Sequence, residues 1–236
     1  MRIVHEDDKT LVLASEKEPA VLLNALRRAV ISETPAMAIS EVDFYENNSP
    51  LINEYLSNRI GLTPLSWEDG VEDDARVGFS LNAEALEEPK TVYSRDLVSS
   101  DEKIKVFYEN IPLVVLNKGQ KLRLEAFATK GTAKQHARFQ SAVASYGRLG
   151  EFKISEKCKK CSSPLKAFPL LEGKKTAGVE FPENSFLCGN CEKSDGDGKQ
   201  FLFVVESFNN LSAREQYSRA LKVLEAKTKA LEKEFK

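Results

Sequence analysis

The chain has 236 residues, with 34 Lys+Arg against 36 Asp+Glu, 42% hydrophobic and 30% charged residues, 12 Gly, 9 Pro and 4 Cys. That apolar content at a net charge of −2 excludes a disordered chain, the Gly and Pro counts exclude a collagen-like one, and the lack of a basic excess argues against a general nucleic-acid coat. A chain this long buries about 70% of the surface its unfolded form exposes, enough for one or two cores without disulfides.

In chain order, Met1-Arg2-Ile3-Val4-His5-Glu6-Asp7-Asp8 is charged from the outset and lacks the apolar stretch of a secretory signal. A cytoplasmic protein is expected, in which the sequons at Asn47 and Asn210 carry no glycan. From Pro19 to Glu33, Leu22, Ala25, Leu26, Ala29 and Val30 recur at i, i+3, i+4, i+7 and i+8, which predicts a helix with one apolar stripe, stopped by Pro35. Residues 66 to 90 hold eight acids against Arg76 and Lys90 and read as a solvated loop and sheet edge. Val77 to Leu81 and Leu122 to Ala126 alternate with period two, as half-buried strands do, and Asn117-Lys118-Gly119-Gln120 is a turn signal. A meander is expected around residues 104 to 128. The longest apolar runs, such as Ile111 to Leu116, reach about six residues against the roughly 20 of a membrane span, so no transmembrane segment is expected.

Residues 151 to 200 contain all four cysteines, and hydrophobic periodicity fades there. Strand signal resumes at Phe201 to Val205, so this stretch reads as an insertion that leaves and re-enters one larger domain. Ser212 with Glu215 forms a capping-box pattern ahead of a helix running to about Phe235. Along it Tyr217, Leu221, Leu224, Thr228, Leu231 and Phe235 follow spacings of 4, 3, 4, 3 and 4, an apolar seam about 36 Å long. Such a seam packs either on the chain's own sheet or against another subunit.

Cys158-x2-Cys161 and Cys188-x2-Cys191 are two knuckles whose four thiolates could complete a tetrahedral zinc site. The flanks allow a different reading. Cys158-x2-Cys161-x2-Pro164-x3-Phe168-Pro169 keeps the frame and final proline of the ferredoxin repeat C-x2-C-x2-C-x3-C-P but lacks two ligands. Structural zinc, a residual iron–sulfur cluster, and no metal at all remain open. No nucleophile elbow, P-loop or G-x-G-x-x-G occurs, and His5 and His136 belong to no metal motif. His136 reads as a satisfied structural histidine, and a catalytic site within this chain is not expected.

Several ordered strings carry a resemblance that spans nearly the whole chain. Asn24-Ala25-Leu26-Arg27-Arg28 with Pro35, Ala38 and Ile39, then Asn58-Arg59-Ile60-Gly61-Leu62-Thr63-Pro64-Leu65, Ile111-Pro112-Leu113, Lys118-Gly119-Gln120, Gly131 to Phe139, and Val205-Glu206-Ser207 resemble the α-like assembly subunits of DNA-dependent RNA polymerase, in their archaeal, D-type form. The resemblance implies an α+β fold in three parts. Residues 1–38 plus 200–236 would form a discontinuous dimerisation domain of terminal helices on a sheet. Residues 39–150 would be a β-rich middle domain docking the large subunits, and 151–199 a small Cys-containing ferredoxin-like insert.

It further implies a noncatalytic scaffold that pairs with subunit L, docks the large catalytic subunits with small subunits N and P, and meets DNA only through the assembled complex. Leu22, Leu26, Val30, Tyr217, Leu221, Leu224 and Leu231 would then face the partner helices, and Arg59, Gly61, Pro64 and Leu65, with Asn58, a large subunit. Cys158, Cys161, Cys188 and Cys191 would be the metal ligands. Thr63 and Ala133 depart from the family pattern, and the incomplete cysteine set departs most. Two rivals are an independent redox carrier built on the cysteine segment and a zinc-dependent nucleic-acid binder. Against the second, residues 151 to 200 hold nine Lys and eight acids, which is no basic footprint.

Overall fold

The computed structural model describes residues 1–15, 18–148, 166–167, 186–187 and 201–235. Strands β1 (Arg2–Glu6) and β2 (Thr10–Ser15) form a hairpin. Its turn is closed by Asp7, whose Oδ1 accepts the backbone N–H groups of Lys9 at 2.8 Å and Thr10 at 2.7 Å. Helix α1 (Ala20–Ser32) follows Pro19, whose fixed φ of −71° suits the helix entry, and it buries Leu23, Leu26, Ala29 and Val30. The chain continues through β3 (Pro35–Asn47), α2 (Asn53–Gly61), β4 (Arg76–Glu84), β5 (Lys90–Tyr93), β6 (Val98–Ser99), β7 (Pro112–Leu116), β8 (Lys121–Thr132) and β9 (Ala142–Arg148). After β10 (Lys166–Ala167) and β11 (Phe186–Leu187), which pair antiparallel, come β12 (Phe201–Ser207) and α3 (Ala213–Glu234). The expected α+β class holds, with more of the described residues in strands than in helices.

The chain's two ends build one body. Its antiparallel sheet runs β1-β2-β12-β9, and α1 and α3 cover one face. Leu11, Leu13, Phe201, Phe203 and Val205 project from the sheet into Leu23, Leu26, Ala29 and Val30 of α1 and Ala213 and Ala220 of α3. Phe203 is fully buried, as suits a strand that is apolar on both faces, and on the other face Leu202 packs with Val4, Val12 and Ala14. Ser212 accepts the N–H of Glu215 while Glu215 reaches back to the Ser212 N–H at 2.7 Å, the expected capping box at the start of α3.

The middle body is a sheet β3-β8-β4-β6 with a smaller β5-β7 pair and α2. Alternation along β4 and β8 buries Phe79, Leu81, Leu122, Leu124 and Ala126 against Leu56 and Ile60 of α2 and Leu113 and Leu116 of β7. The expected meander is not formed. β7 and β8 are joined by the turn at Gly119, whose φ of +78° needs glycine, yet they do not pair with each other. Both edges of β8 are taken by β3 and β4, which leaves β7 to pair with β5.

Pro35 to Ile39 pairs with Ala128 to Thr132 in the middle sheet, and β9 lies beside β12 in the terminal sheet. Arg148 stands opposite Phe201. The segment holding the cysteines therefore leaves and re-enters on neighbouring strands, as an insertion does. Cys158, Cys161, Cys188 and Cys191 lie outside the described residues.

The tightest glycine in the middle body is Gly131 of β8, where a Cβ would stand 2.7 Å from Phe139 Cζ and 2.8 Å from Gln135 Oε1. Gly131→Ala should therefore destabilise the chain by about 1–3 kcal/mol through overpacking. Thermal unfolding should show Tm lower by at least about 2 °C; an unchanged Tm would mean that the Phe139 ring moves aside freely.

Candidate partner surfaces

Two surfaces collect the residues expected to meet other subunits. The first is a groove of ≈ 570 Å³ between the N-terminal hairpin, α1 and α3, lined by Met1, Ile3, Leu22, Tyr217, Leu221 and Leu224 among others. Ala213, Gln216 and Ala220, all in the first turns of α3, are its buried residues, while Leu221 is 41% and Leu231 54% exposed. On α1 Leu22 is 42% exposed. Tyr217 is half-buried, its ring edge-to-face with Phe203 at 6.1 Å between centroids, and desolvation raises the pKa of its hydroxyl.

Leu26 and Val30 require a correction. They are 2% and 0% exposed and belong to the chain's own core, turned onto Leu11, Leu13 and Phe203. The stripe predicted on α1 is real, but it is wide enough to serve two neighbours. Its centre faces the sheet, with Leu26 also lining the groove, and the flank carrying Leu22 is exposed.

Charges rim the groove. Arg214 grips Glu6 with both Nε and Nη2, and the Met1 ammonium donates to Glu18 Oε1 at 2.7 Å. That bond, then one from Ser15, holds the Glu18 carboxyl at about 2, far below its ordinary 4.5.

The second surface is α2 and the loop after it. Arg59 is exposed and donates from Nη2 to the Pro112 carbonyl at 2.5 Å, so it braces β7 while remaining at the surface. Asn58 is exposed, and Pro64 is half-buried with its carbonyl accepting the Phe107 N–H at 2.9 Å. Leu65 is 3% exposed and Gly61 is buried, where a Cβ would come within 3.2 Å of the Ile39 carbonyl oxygen and 3.5 Å of Arg138 Nη1. Gly61 and Leu65 thus shape this segment from beneath, and an incoming subunit would not touch them directly.

The residues that do project are Ile52, Tyr55 and Leu62, at 58%, 66% and 52% exposure. Sequence reasoning missed them. Their spacing of three and seven matches one helix face, and the signal was the second apolar row, Leu56 and Ile60, that fills the adjoining, buried face.

His136 has the structural role expected. Its Nδ1 accepts the N–H and the Nε–H of Arg138, each at 3.1 Å, and Arg138 Nη1 donates to the carbonyls of Ile39 at 3.0 Å and Ser40 at 2.9 Å. These bonds clamp the bulge in β3 just beneath Gly61. The acids of 68–84 form exposed ion pairs, among them Glu68–Lys103 and Asp73–Lys130, and the described residues include no group of three or more His, Cys, Asp or Glu side chains placed to hold a metal. Among the described residues no helix is long and apolar enough to cross a membrane.

The sheet of the middle body matches a known domain type. A family model described as the RNA polymerase Rpb3/RpoA insert domain fits residues 38–150. Over nearly its full length the chain is 31% identical to DNA-directed RNA polymerase subunit Rpo3 of Archaeoglobus fulgidus, with 99% of this chain and 96% of that protein covered. It is 34% identical to the Rpo3 subunit of Thermococcus kodakarensis, covering 87% and 85%, and 32% identical to that of Methanobrevibacter smithii, covering 89% and 81%. The chain thus belongs to the Rpo3 family of archaeal DNA-directed RNA polymerase subunits, the D-type α-like subunits. The independent carrier and the nucleic-acid binder find no support.

The split between Leu26 and its neighbours has a measurable consequence. Leu26→Ala should cost the isolated chain about 2–5 kcal/mol, whereas Leu221→Ala should lie within about 0.5 kcal/mol of wild type, both read by denaturant unfolding. Equal losses would contradict this division of the stripe. For Glu18, a depressed carboxylate contributes stability above its unfolded value near 4.5 that is lost as pH falls towards 2. The side-chain carboxyl carbon of Glu18 should titrate by NMR with a midpoint near 2, and with a higher midpoint in Ser15→Ala; a midpoint near 4.5 would show that the Met1 contact is absent in solution.

Proposed function

We propose that this chain is a noncatalytic assembly scaffold of an archaeal RNA polymerase. It pairs through the groove between α1 and α3 with an L-type subunit, docks the large catalytic subunits through α2 and the segment ending at Leu65, and joins small subunits N and P. It acts in the cytoplasm and reaches DNA only within the assembled enzyme. The observation that carries this reading is the unmatched apolar row Leu22, Leu221, Leu224 and Leu231 along two helices of one body. An apolar row of this size, rimmed by charges, is what a homologous helix pair covers in an isologous-like contact. Each large side chain buried there contributes on the order of 1.5–3 kcal/mol before the costs of association. Tyr217 at the floor of the groove supplies an aromatic anchor of the kind that dominates such interfaces.

Arg59 fits the docking role through its planar fork, which can use one N–H on Pro112 and present others to a partner carboxylate or carbonyl. The insert is proposed to hold zinc through Cys158, Cys161, Cys188 and Cys191. Four thiolates in two C-x2-C knuckles suit a closed tetrahedral site, and the missing third and fourth cysteines of each ferredoxin repeat disfavour an iron–sulfur cluster. Zinc bound there would contribute folding free energy to the insert and no chemistry.

Co-expression with the L-type subunit should yield a 1:1 heterodimer. Leu221→Asp with Leu231→Asp should abolish it and leave the fold of the isolated chain intact, with pairing read by analytical ultracentrifugation and the fold by circular dichroism. A monomer that ignores the partner would contradict the scaffold reading. Elemental analysis of the purified chain should find about one zinc per molecule, and its absence would overturn the metal assignment.

A further inference from the structure

The two bodies meet at Trp67, the single tryptophan of the chain, which is 7% exposed. Its backbone N–H donates to Asn210 Oδ1 at 2.6 Å, and its carbonyl accepts from Asn210 Nδ2 at 2.8 Å. Its indole N–H donates to Asp69 Oδ1 at 3.0 Å. The guanidinium of Arg219 lies over the ring at 4.2 Å from its centre, with the Lys130 ammonium farther off at 5.7 Å. Arg219 Nη2 donates to the Pro35 carbonyl at 2.6 Å, while Nη1 is buried with no partner among the described residues. Arg219 is thus held by a ring face and one carbonyl, a setting in which the flat guanidinium matters more than its charge.

The place of Arg219 on α3 gives this contact its meaning. At about 100° per residue, Tyr217, Leu221, Leu224 and Thr228 lie roughly 140–200° around the helix from Arg219, so the groove and the Trp67 contact occupy opposite sides of one rod. Burial along α3 ends at Ala220, the residue after Arg219. Beyond it, Leu224 is half-buried and Lys227 reaches Glu33. Arg219 therefore stands in the last turn that holds a buried residue, and its guanidinium carries that turn's contact with the middle body. On the other side, Trp67 follows Leu65 by two residues. The strip Pro64 to Ser66 is bonded to Lys105–Phe107, with Ser66 N–H on the Lys105 carbonyl at 2.8 Å and Phe107 N–H on the Pro64 carbonyl at 2.9 Å. Lys9 of the N-terminal hairpin closes over the same strip, its ammonium 4.1 Å from the Phe107 ring centre and 2.6 Å from the Asn209 carbonyl.

We propose that Arg219 is a positioning residue that transmits occupancy of the α3 groove to the docking segment through Trp67, so that pairing at one surface sets the geometry of the other. The inference rests on the scaffold reading. A partner that grips the outer part of α3 fixes a helix whose nearest brace on the middle body is Arg219, and the ring beneath it is two residues from the segment that meets a large subunit. Arg219 itself touches neither partner.

Because the chain has one tryptophan, 5-fluorotryptophan labelling gives one 19F resonance from Trp67. Unlabelled L-type subunit is titrated into the labelled full chain, with heterodimer formation followed separately by ultracentrifugation. The resonance should move on pairing in the wild-type chain. In Arg219→Gln it should stay in place while the heterodimer still forms with unchanged affinity, and Arg219→Lys should recover only part of the response because it restores charge without the planar stack. The Arg219→Gln heterodimer should also bind the large subunits about tenfold more weakly. If the Gln variant fails to fold, Asn210→Ala, which removes the backbone clamp on Trp67, takes its place with the same expected loss. A heterodimer that forms without moving the wild-type resonance, or one that moves it equally in the variant, overturns the coupling and leaves the scaffold reading standing. Failure to form any heterodimer overturns both.

Discussion

A helix of 22 residues, about 33 Å long, is laid on a four-stranded sheet that can bury only its first turns. The structure turns on this mismatch. The first turns of α3 are fixed by Ala213 and Ala220 against the sheet and by a buried polar set in which Gln216 donates to Asn209 Oδ1 at 2.9 Å and accepts from Ser141 Oγ at 3.2 Å. With every member hydrogen-bonded, that set fixes the helix in one register without leaving an orphaned polar atom in the core. Past Ala220 no residue of the helix is fully buried: Leu224 is half-buried against the core, while Leu221 and Leu231 are exposed. A long apolar row left open on a helix is a surface of the kind that partners cover.

The terminal body can offer this surface only because its two halves come from opposite ends of the chain. β2 pairs with β12 and α1 packs beside α3, so the sequence between them is a closed excursion that contains the whole middle body. The cysteine segment departs and returns through adjacent strands at Arg148 and Phe201. Among the described residues, the joint between the bodies includes Asn210, Arg219 and Lys9 meeting Trp67 and Phe107, and Leu211 packing on the middle core. Such a joint ties the orientation of one body to the other through hydrogen bonds and cation–π contacts.

Much of this was legible in the residues. The helical stripe from Leu22 to Val30, the capping box at Ser212 and the period-two runs in β4 and β8 each report a burial pattern that local geometry enforces. What periodicity could not say was which neighbour covers a stripe. Leu26 and Leu22 belong to the same row, yet one faces the sheet and the other solvent, because that choice depends on where α3 crosses. The failed meander has the same origin. A turn at Gly119 dictates a change of direction, while strand partners are settled by β3 and β4, which are distant in sequence and occupy both edges of β8. Leu65 and Gly61 matched a motif, but a motif match does not distinguish a residue that touches a partner from one that shapes the residue that does.

The central claim is that α3 beyond Ala220 waits for a second protein. Hydrogen exchange measured amide by amide along 213–234, for the isolated chain and for its heterodimer with the L-type subunit, tests it directly. The account predicts rapid exchange from Leu221 to Glu234 in the isolated chain, slow exchange in the heterodimer, and protection of Gln216 to Ala220 in both. Strong protection of the outer half in the isolated monomer, or none in the complex, would contradict it.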